Sequence, residues 1–447
     1  MKKSYVVDMT KGNETRHVIK FAVPMMIGNI IQQLYNIVDS IIVGRYVGDY
    51  AIAGVGSVSP LTFLFFSMCT GISLGVGVIV SHAFGEGDED KVKKVIGNSI
   101  YLIVGAGMVM SILGIVFAEQ ILTFMKIPAE TMPHALPYMR IICGGTVFVA
   151  GYNGVSSILR SLGDAKTPLI FVSIAGVLNI VLDLLFVVGF GIGAAGVALA
   201  TVISQVIAMV GSILFSLKRN PYIRLKKQHL RIDRRILGQC SKMGIPVGCQ
   251  FSLIAFSSVV VQGFVNSFGA TVMAAYAITR WIEMVIQQPF NSMGAAISTF
   301  TGQNLAVGNV KRVTRVFKKG LIIVISFSLL ALIVLLIAGE FIIGIFLENP
   351  EIISLGARAI IITAIFYGAL GTIFVTRGVL SGAGDARFAV ISGAIEVCSR
   401  IGLSVMLTRI SFIGAWGLWA TIGISWAFTG TAGLIRYFKG GWKNIEI

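Results

Sequence analysis

The sequence predicts an all-α integral membrane protein. Twelve transmembrane helices are expected, in two parallel six-helix repeats with a pseudo-twofold axis along the membrane normal. Three observations predict this. The chain of 447 residues is 55% hydrophobic and only 13% charged, too apolar for a soluble protein. It divides into apolar stretches of about 20 residues, the length that spans a bilayer. Its second half also repeats its first. Leu159-Arg160-Ser161-Leu162-Gly163-Asp164-Ala165-Lys166 returns as Leu380-Ser381-Gly382-Ala383-Gly384-Asp385-Ala386-Arg387, an offset of 221 residues. The same offset carries Gly48 to Gly269, Gly87-Asp88 to Gly308-Asn309, and Gly193-Ala194-Ala195-Gly196 to Gly414-Ala415-Trp416-Gly417. Pro24 falls beside Pro246, one residue out of step. The 52 glycines exceed the roughly 7% of average usage, as expected where helices pack closely in lipid.

In chain order the expected spans lie near 18–43, 52–80, 95–117, 137–160, 168–190 and 193–216 in the first half. Those of the second half lie near 239–267, 272–303, 318–338, 355–380, 387–408 and 413–437. Six spans per half is an even number, so both halves run the same way through the membrane. The net charge of +16 raises the question of a nucleic-acid partner, and its distribution excludes one. With the amino terminus inside, the 36 Lys and Arg residues gather on the cytoplasmic side, densest between Lys218 and Lys242. The exceptions are Arg45, Lys126, Arg140, Arg358 and Arg409 on the outer side, and Arg280 and Arg400 within spans. This is the positive-inside pattern, so the charge sets orientation. A multi-pass protein of the plasma membrane follows, with both termini cytoplasmic and lipid as its surroundings. The expected lobes are 1–216 and 239–447, joined by a basic cytoplasmic loop over 217–238 and forming a monomer.

Met1 to Lys20 is polar and lacks the apolar core of a cleavable signal. The five cysteines are scattered, which speaks against a disulfide framework. Enzyme motifs are missing. No Gly-x-x-x-x-Gly-Lys-Ser/Thr loop is present to bind ATP, and no His-Glu-x-x-His to hold zinc. No cofactor is expected.

Ionisable groups inside spans cost free energy, so those retained are candidates for function. Asp39 in the first helix follows Gln32, Tyr35 and Asn36 at helical spacing, making one polar stripe. Asp183 in the fifth helix has Asn179 one turn before it. The sixth helix presents Thr201, Ser204 and Gln205, and the fourth presents Asn153, Ser156 and Ser157. At 1.5 Å per residue, Asp39, Asp183 and Thr201 fall roughly 6–12 Å below the outer surface. Carboxylates, an amide and a hydroxyl at one level suit a proton or a small cation with oxygen ligands, sodium included. Pro24 stands on the same helix as Asp39 and removes one backbone hydrogen bond there, marking a candidate hinge.

The second half is built differently. Asp183 maps onto Ser404, Asn179 onto Arg400, and Asp39 onto Val260 or Val261. Its charges form the spacings Arg280/Glu283 and Glu396/Arg400, each able to neutralise itself. Glu283 remains a candidate for a substrate cavity, with Gln287 and Gln288 before Pro289 on the same helix. Gln32, Tyr35, Asn36 and Gln205 are the cavity candidates of the first half.

Twelve spans in two parallel halves, with repeated Gly-Asp-Ala loops at Gly163 and Gly384, resemble the multidrug and toxic compound extrusion (MATE) family. Pro24 and Asp39, Asn153, Asn179 and Asp183, and Thr201 match the amino-terminal-lobe cation site of its prokaryotic members in type and order. The resemblance implies a V-shaped pair of bundles with a central cavity. It also implies a secondary active transporter that exports cationic amphipathic small molecules in exchange for protons or sodium ions by alternating access. Some members carry a further carboxylate in the tenth helix. Here 355–380 contains no Asp or Glu, which favours coupling through the amino-terminal lobe. The alternative is a flippase for a lipid-linked precursor, of related architecture, which would need cationic groups such as Arg280 and Arg400 to hold a pyrophosphate.

Overall fold

The computed structural model describes residues 5–125, 127–346 and 348–445, and all of its regular elements are helical. Lys126, assigned above to the outer side, lies outside the described residues. The first half comprises α1 (Glu14–Tyr46), α2 (Asp49–Gly85), α3 (Glu89–Val116), α4 (Ala118–Phe124), α5 (Met132–Gly144), α6 (Thr146–Ser161), α7 (Lys166–Asp183) and α8 (Ala194–Arg219). The second comprises α9 (Arg234–Asn266), α10 (Ala270–Ala306), α11 (Val310–Gly344), α12 (Pro350–Ala364), α13 (Tyr367–Gly382), α14 (Ala386–Thr408) and α15 (Trp416–Phe438).

Among the described residues, eight helices are long and apolar enough to cross a membrane, or ten spans if two bent pairs are counted. Those pairs, α5–α6 and α12–α13, are the expected fourth and tenth spans, bent by 44° and 46°. The breaks fall at repeat-equivalent positions, Gly145 and Phe366. The remaining two expected stretches are α1 and α10, of 33 and 37 residues. Their length suffices, but Gln32, Gln33, Asn36 and Asp39 on α1, and Arg280, Glu283, Gln287 and Gln288 on α10, lower their hydropathy. At the other extreme stands α11, whose apolar window is only 17% buried. Exposed Ile322, Leu329, Leu330, Ile333 and Ile337 make its free face a surface for acyl chains.

The repeat is visible in packing and in turns. In the first half α2 packs on α3, α5 and α6, and α8 on α5, α6 and α7. In the second, α10 packs on α11, α12 and α13, and α15 on α12, α13 and α14, the same pattern. Each repeated turn holds a glycine at positive φ: Gly48 and Gly269, Gly87 and Gly308, Gly163 and Gly384, Gly193 and Gly414. Only glycine adopts that conformation without strain, so these positions stop one helix and start the next. The Gly-Asp-Ala loops add a cap. Asp164 accepts the backbone N–H of Lys166 and Thr167 through Oδ1 at 3.0 and 2.9 Å, and Asp385 accepts that of Phe388 at 3.3 Å. Asp385 also accepts from Arg436 Nε at 2.6 Å, tying α14 to the end of α15.

The chain forms two compact units: Val23–Phe251 with the residues up to Met9, and Thr10–Ala22 with the chain from Ser252 onward. The divisions fall inside α1 and α9, while the basic loop over 217–238 lies within the first unit. Within that unit α2 and α9 meet backbone to backbone. A Cβ on Gly71 would stand 2.1 Å from the Gly248 nitrogen, and one on Gly75 2.4 Å from that of Gly244. Both helices thus place glycines four apart at the crossing, a spacing that lets helices approach closely in lipid. The basic loop is tied along α3. Asn98 accepts the Asp233 N–H at 2.8 Å and donates to the Arg231 carbonyl at 3.2 Å, and Tyr101 Oη donates to the Leu230 carbonyl at 2.8 Å. Buried His229 meets Asp90 at 3.1 Å. In the second unit Glu14, at the start of α1, pairs with Arg315 of α11 at 2.9 Å, flanked by Arg312 and Lys319.

Candidate cation site in the first repeat

The polar stripe on α1, the end of α7 and the first turns of α8 converge in the first unit. Asp39 and Asp183 come within hydrogen-bonding reach of each other. Asp183 is fully buried and Asn179, one turn earlier on α7, is 1% exposed. Asn179 donates through Nδ2 to Thr201 Oγ1 at 3.5 Å, and Thr201 in turn donates to the Val197 carbonyl at 3.0 Å. Gln205, one turn along α8, donates to Tyr35 Oη at 3.4 Å, linking α8 to α1. Beyond Asp183 the helix widens into a π turn, Leu184–Gly189. Its last turn is closed by the Phe190 N–H on the Leu185 carbonyl at 2.9 Å. Such wide turns occur often at functional sites because they re-aim the residues beside them.

The atoms left over define the chemistry. Among the described residues, Asp39 Oδ1, both carboxylate oxygens of Asp183, Asn179 Oδ1 and Gln205 Oε1 are buried without a donor. These five are acceptors, and the Ser156 and Ser204 hydroxyls on α6 and α8 are buried and likewise without a partner among the described residues. A buried acceptor without a partner costs about 1–3 kcal/mol, and two carboxylates at contact repel in a low dielectric. One proton shared between Asp39 and Asp183 would relieve both costs. A sodium ion held by the same oxygens would do so as well, since a hard cation takes oxygen ligands. The residues present therefore fit a monovalent cation. Among the described residues no cluster of three or more His, Cys, Asp or Glu stands ready for a transition metal.

Other sequence candidates are placed less centrally. Asn153 is half-buried on α6 and makes no hydrogen bond to this cluster. Gln32 hydrogen-bonds Tyr35, while Asn36 is exposed and reaches only Gln33 at 3.5 Å. Pro24 lies two residues past the point where α1 passes from one unit to the other. Glu283 and Gln287 belong to the second unit, and Glu283 is 1% exposed and paired with Arg280 Nη1 at 3.1 Å. Glu396 is shared by two guanidiniums, Arg400 and Arg377, each at 2.7 Å. Arg377, which the charge pattern groups with the cytoplasmic residues, reaches this network from α13. Sequence reasoning also passed over Tyr138 of α5, which lies within electrostatic range of both Asp39 and Asp183. Its one signal was a tyrosine in the outer half of an apolar span.

An all-helical, multi-pass protein built from two repeats, one holding a buried carboxylate pair, belongs to the class of membrane transporters. The MatE family profile matches residues 24–185 and 246–406, once in each half. The chain belongs to the MATE family. It is 29% identical to the probable multidrug resistance protein YpnP of Bacillus subtilis over 443 residues, 98% of each chain. It is 24% identical to the probable multidrug resistance protein NorM of Thermotoga maritima, covering 97% of this chain and 94% of that one. Among solved structures, a multidrug resistance MATE transporter of the MOP superfamily in an outward-facing conformation superposes with TM-score 0.91 at 21% identity, over the full length of both chains. A MOP superfamily transporter from Pyrococcus furiosus superposes with TM-score 0.92, also at 21%. These two likenesses concern the fold. Members of the family transport small molecules and are not enzymes.

Proposed function

We propose that this transporter exports cationic amphipathic compounds across the plasma membrane in exchange for protons or sodium ions, drawing its energy from the ion gradient. The observation that carries this reading is the set of five acceptor oxygens on Asp39, Asp183, Asn179 and Gln205 that have no donor among the described residues, four of them on the two carboxylates and the amide one turn before Asp183, which a bound cation would satisfy. Asp39, Asp183, Asn179 and Thr201 hold the coupling ion in this reading, and Tyr35 and Gln205 link the ion site to the polar stripe on α1. Exchange by alternating access needs an element that responds to the ion. Pro24 leaves the Lys20 carbonyl without its helical donor in the turn where α1 leaves one unit for the other, which makes that turn easy to bend. Monovalent cations should accordingly be exported better than neutral or anionic analogues of similar size.

The test uses the full chain in vesicles under an imposed proton or sodium gradient, with a fluorescent organic cation as cargo. Wild type should export under one of the two gradients, and Asp39→Asn should fall to the level of protein-free vesicles. Because coupling between two sites acts in both directions, cargo added to solubilised wild type should release protons or displace sodium. Asp39→Asn should release less. Normal gradient-driven export by this variant would overturn the assignment, and export of an anionic dye as fast as of the cation would overturn the substrate class.

A further inference from the structure

The position that mirrors the cation site carries the opposite charge. Asn179 and Asp183 of the first repeat correspond to Arg400 and Ser404 of the second, one turn apart on α14. Arg400 is 6% exposed and Ser404 is fully buried. Arg400 Nη2 donates to Glu396 Oε1 at 2.7 Å and Nη1 to Ser257 Oγ of α9 at 3.0 Å. Its Nε–H has no acceptor, and Ser404 Oγ has no partner among the described residues.

The charges around Arg400 do not cancel. Glu396 serves both Arg400 and Arg377, and Arg377 also donates to Ser392 at 3.0 Å. Glu283 of α10 lies within electrostatic range of Arg400, with its Oε2 hydrogen-bonded to Arg280 and its Oε1 buried without a partner among the described residues. Three guanidiniums thus face two carboxylates. Among the described residues of this unit the other acids are engaged or remote: Asp385 pairs with Arg436, Glu14 with Arg315, and Glu340, Glu348 and Glu351 are exposed. A buried guanidinium without a full counter-charge is costly, as is a buried N–H without an acceptor. One bound anion satisfies both.

We propose that the second repeat holds a monovalent anion between Arg400 Nε and Ser404 Oγ, either a halide or the carboxylate of a transported compound. The two repeats then divide the work by sign, with a cation on the first and an anion on the second. A substrate bearing both charges, or a cation accompanied by its counter-ion, becomes a natural cargo. The inference stands on the second unit alone and does not depend on which ion drives export.

The experiment follows thermal unfolding of the full-length, detergent-purified protein titrated with sodium chloride or sodium benzoate, against sodium methanesulfonate at equal ionic strength. A ligand that binds the folded state raises the midpoint in a saturable way. Wild type should show this for at least one of the two anions. Saturation by chloride identifies a halide site, and saturation by benzoate in the absence of chloride identifies a carboxylate site. Arg400→Gln should abolish the response. Should that variant not fold, Ser404→Ala leaves every ion pair in place and should weaken the anion by about tenfold or more, what one hydrogen bond to a charged acceptor supplies. The proposal fails if neither anion saturates beyond methanesulfonate, or if Arg400→Gln or Ser404→Ala responds as wild type does.

Discussion

Replacing Asp183 by Asn should make the protein more stable and leave it unable to couple. The side chain keeps its size, so the fully buried site needs no repacking. Two orphaned carboxylate oxygens are replaced by one amide oxygen and an NH2 group. That NH2 comes within reach of the Asp39 carboxylate, whose Oδ1 has no donor in the wild type, and lies one turn from Asn179, whose Oδ1 has none either. A hydrogen bond to a charged acceptor contributes about 1.5–3 kcal/mol, and loss of the carboxylate repulsion acts in the same direction. With part of this spent on fixing the amide, the net gain should be about 1–3 kcal/mol. Unfolding of the solubilised variant should show this gain at low salt, without cargo and at alkaline pH, where no shared proton relieves the wild-type pair. In vesicles the same variant should export no faster than protein-free controls under either gradient. Most substitutions of fully buried residues destabilise, so a rise in stability paired with loss of transport separates a strained functional site from a structural one. If Asp183→Asn destabilises by more than about 1 kcal/mol, or still exports under a gradient, the reasoning from orphaned acceptors is wrong.

Three further outcomes are expected. Gly71→Leu should prevent folding or cost several kcal/mol, because even a Cβ would stand 2.1 Å from the Gly248 backbone; yield of folded protein by size exclusion reads this directly. Glu396→Gln should cost about 3–5 kcal/mol in thermal unfolding, since it leaves Arg377 and Arg400 buried without their shared carboxylate; a loss under 1 kcal/mol would show that water reaches the network. In a cysteine-free background, Arg45→Cys should react with an impermeant maleimide added outside intact cells and Lys226→Cys should not, although both positions are exposed; strong external labelling at 226 would reverse the topology.

Composition and the repeat were enough to read the helices, because bilayer thickness forces each span to a length visible as an apolar run. The repeated glycines were legible for a different reason: a turn that needs positive φ admits few other residues, so Gly48, Gly87, Gly163 and Gly193 all reappear 221 residues later. The break between α12 and α13 left no such mark. Its residues, Ala364 to Tyr367, contain neither Pro nor Gly, and only its equivalence to Gly145 would have disclosed it. In the site, Asp39 and Asp183 stood out because charge in lipid is costly. The joining of Glu396 to Arg377 could not be read, since it depends on how α13 and α14 are rotated rather than on spacing within either. The same holds for Tyr138, brought near the carboxylates by the packing of α5.

The basic loop is fastened to α3 over its second half, from His229 at Asp90 to Asp233 at Asn98. A tether so fastened has no slack to pay out. Under the proposed exchange the loop would travel as part of the first unit, and bending would fall on the two long helices that run from one unit into the other. Lengthening the loop with flexible residues should leave transport almost untouched, whereas stiffening α1 at Pro24 or α9 at Pro246 should slow it. A protease directed at Lys and Arg should likewise find this arginine-rich stretch a poor substrate while α3 is intact, and cutting it should report the release of the strap rather than the opening of the transporter.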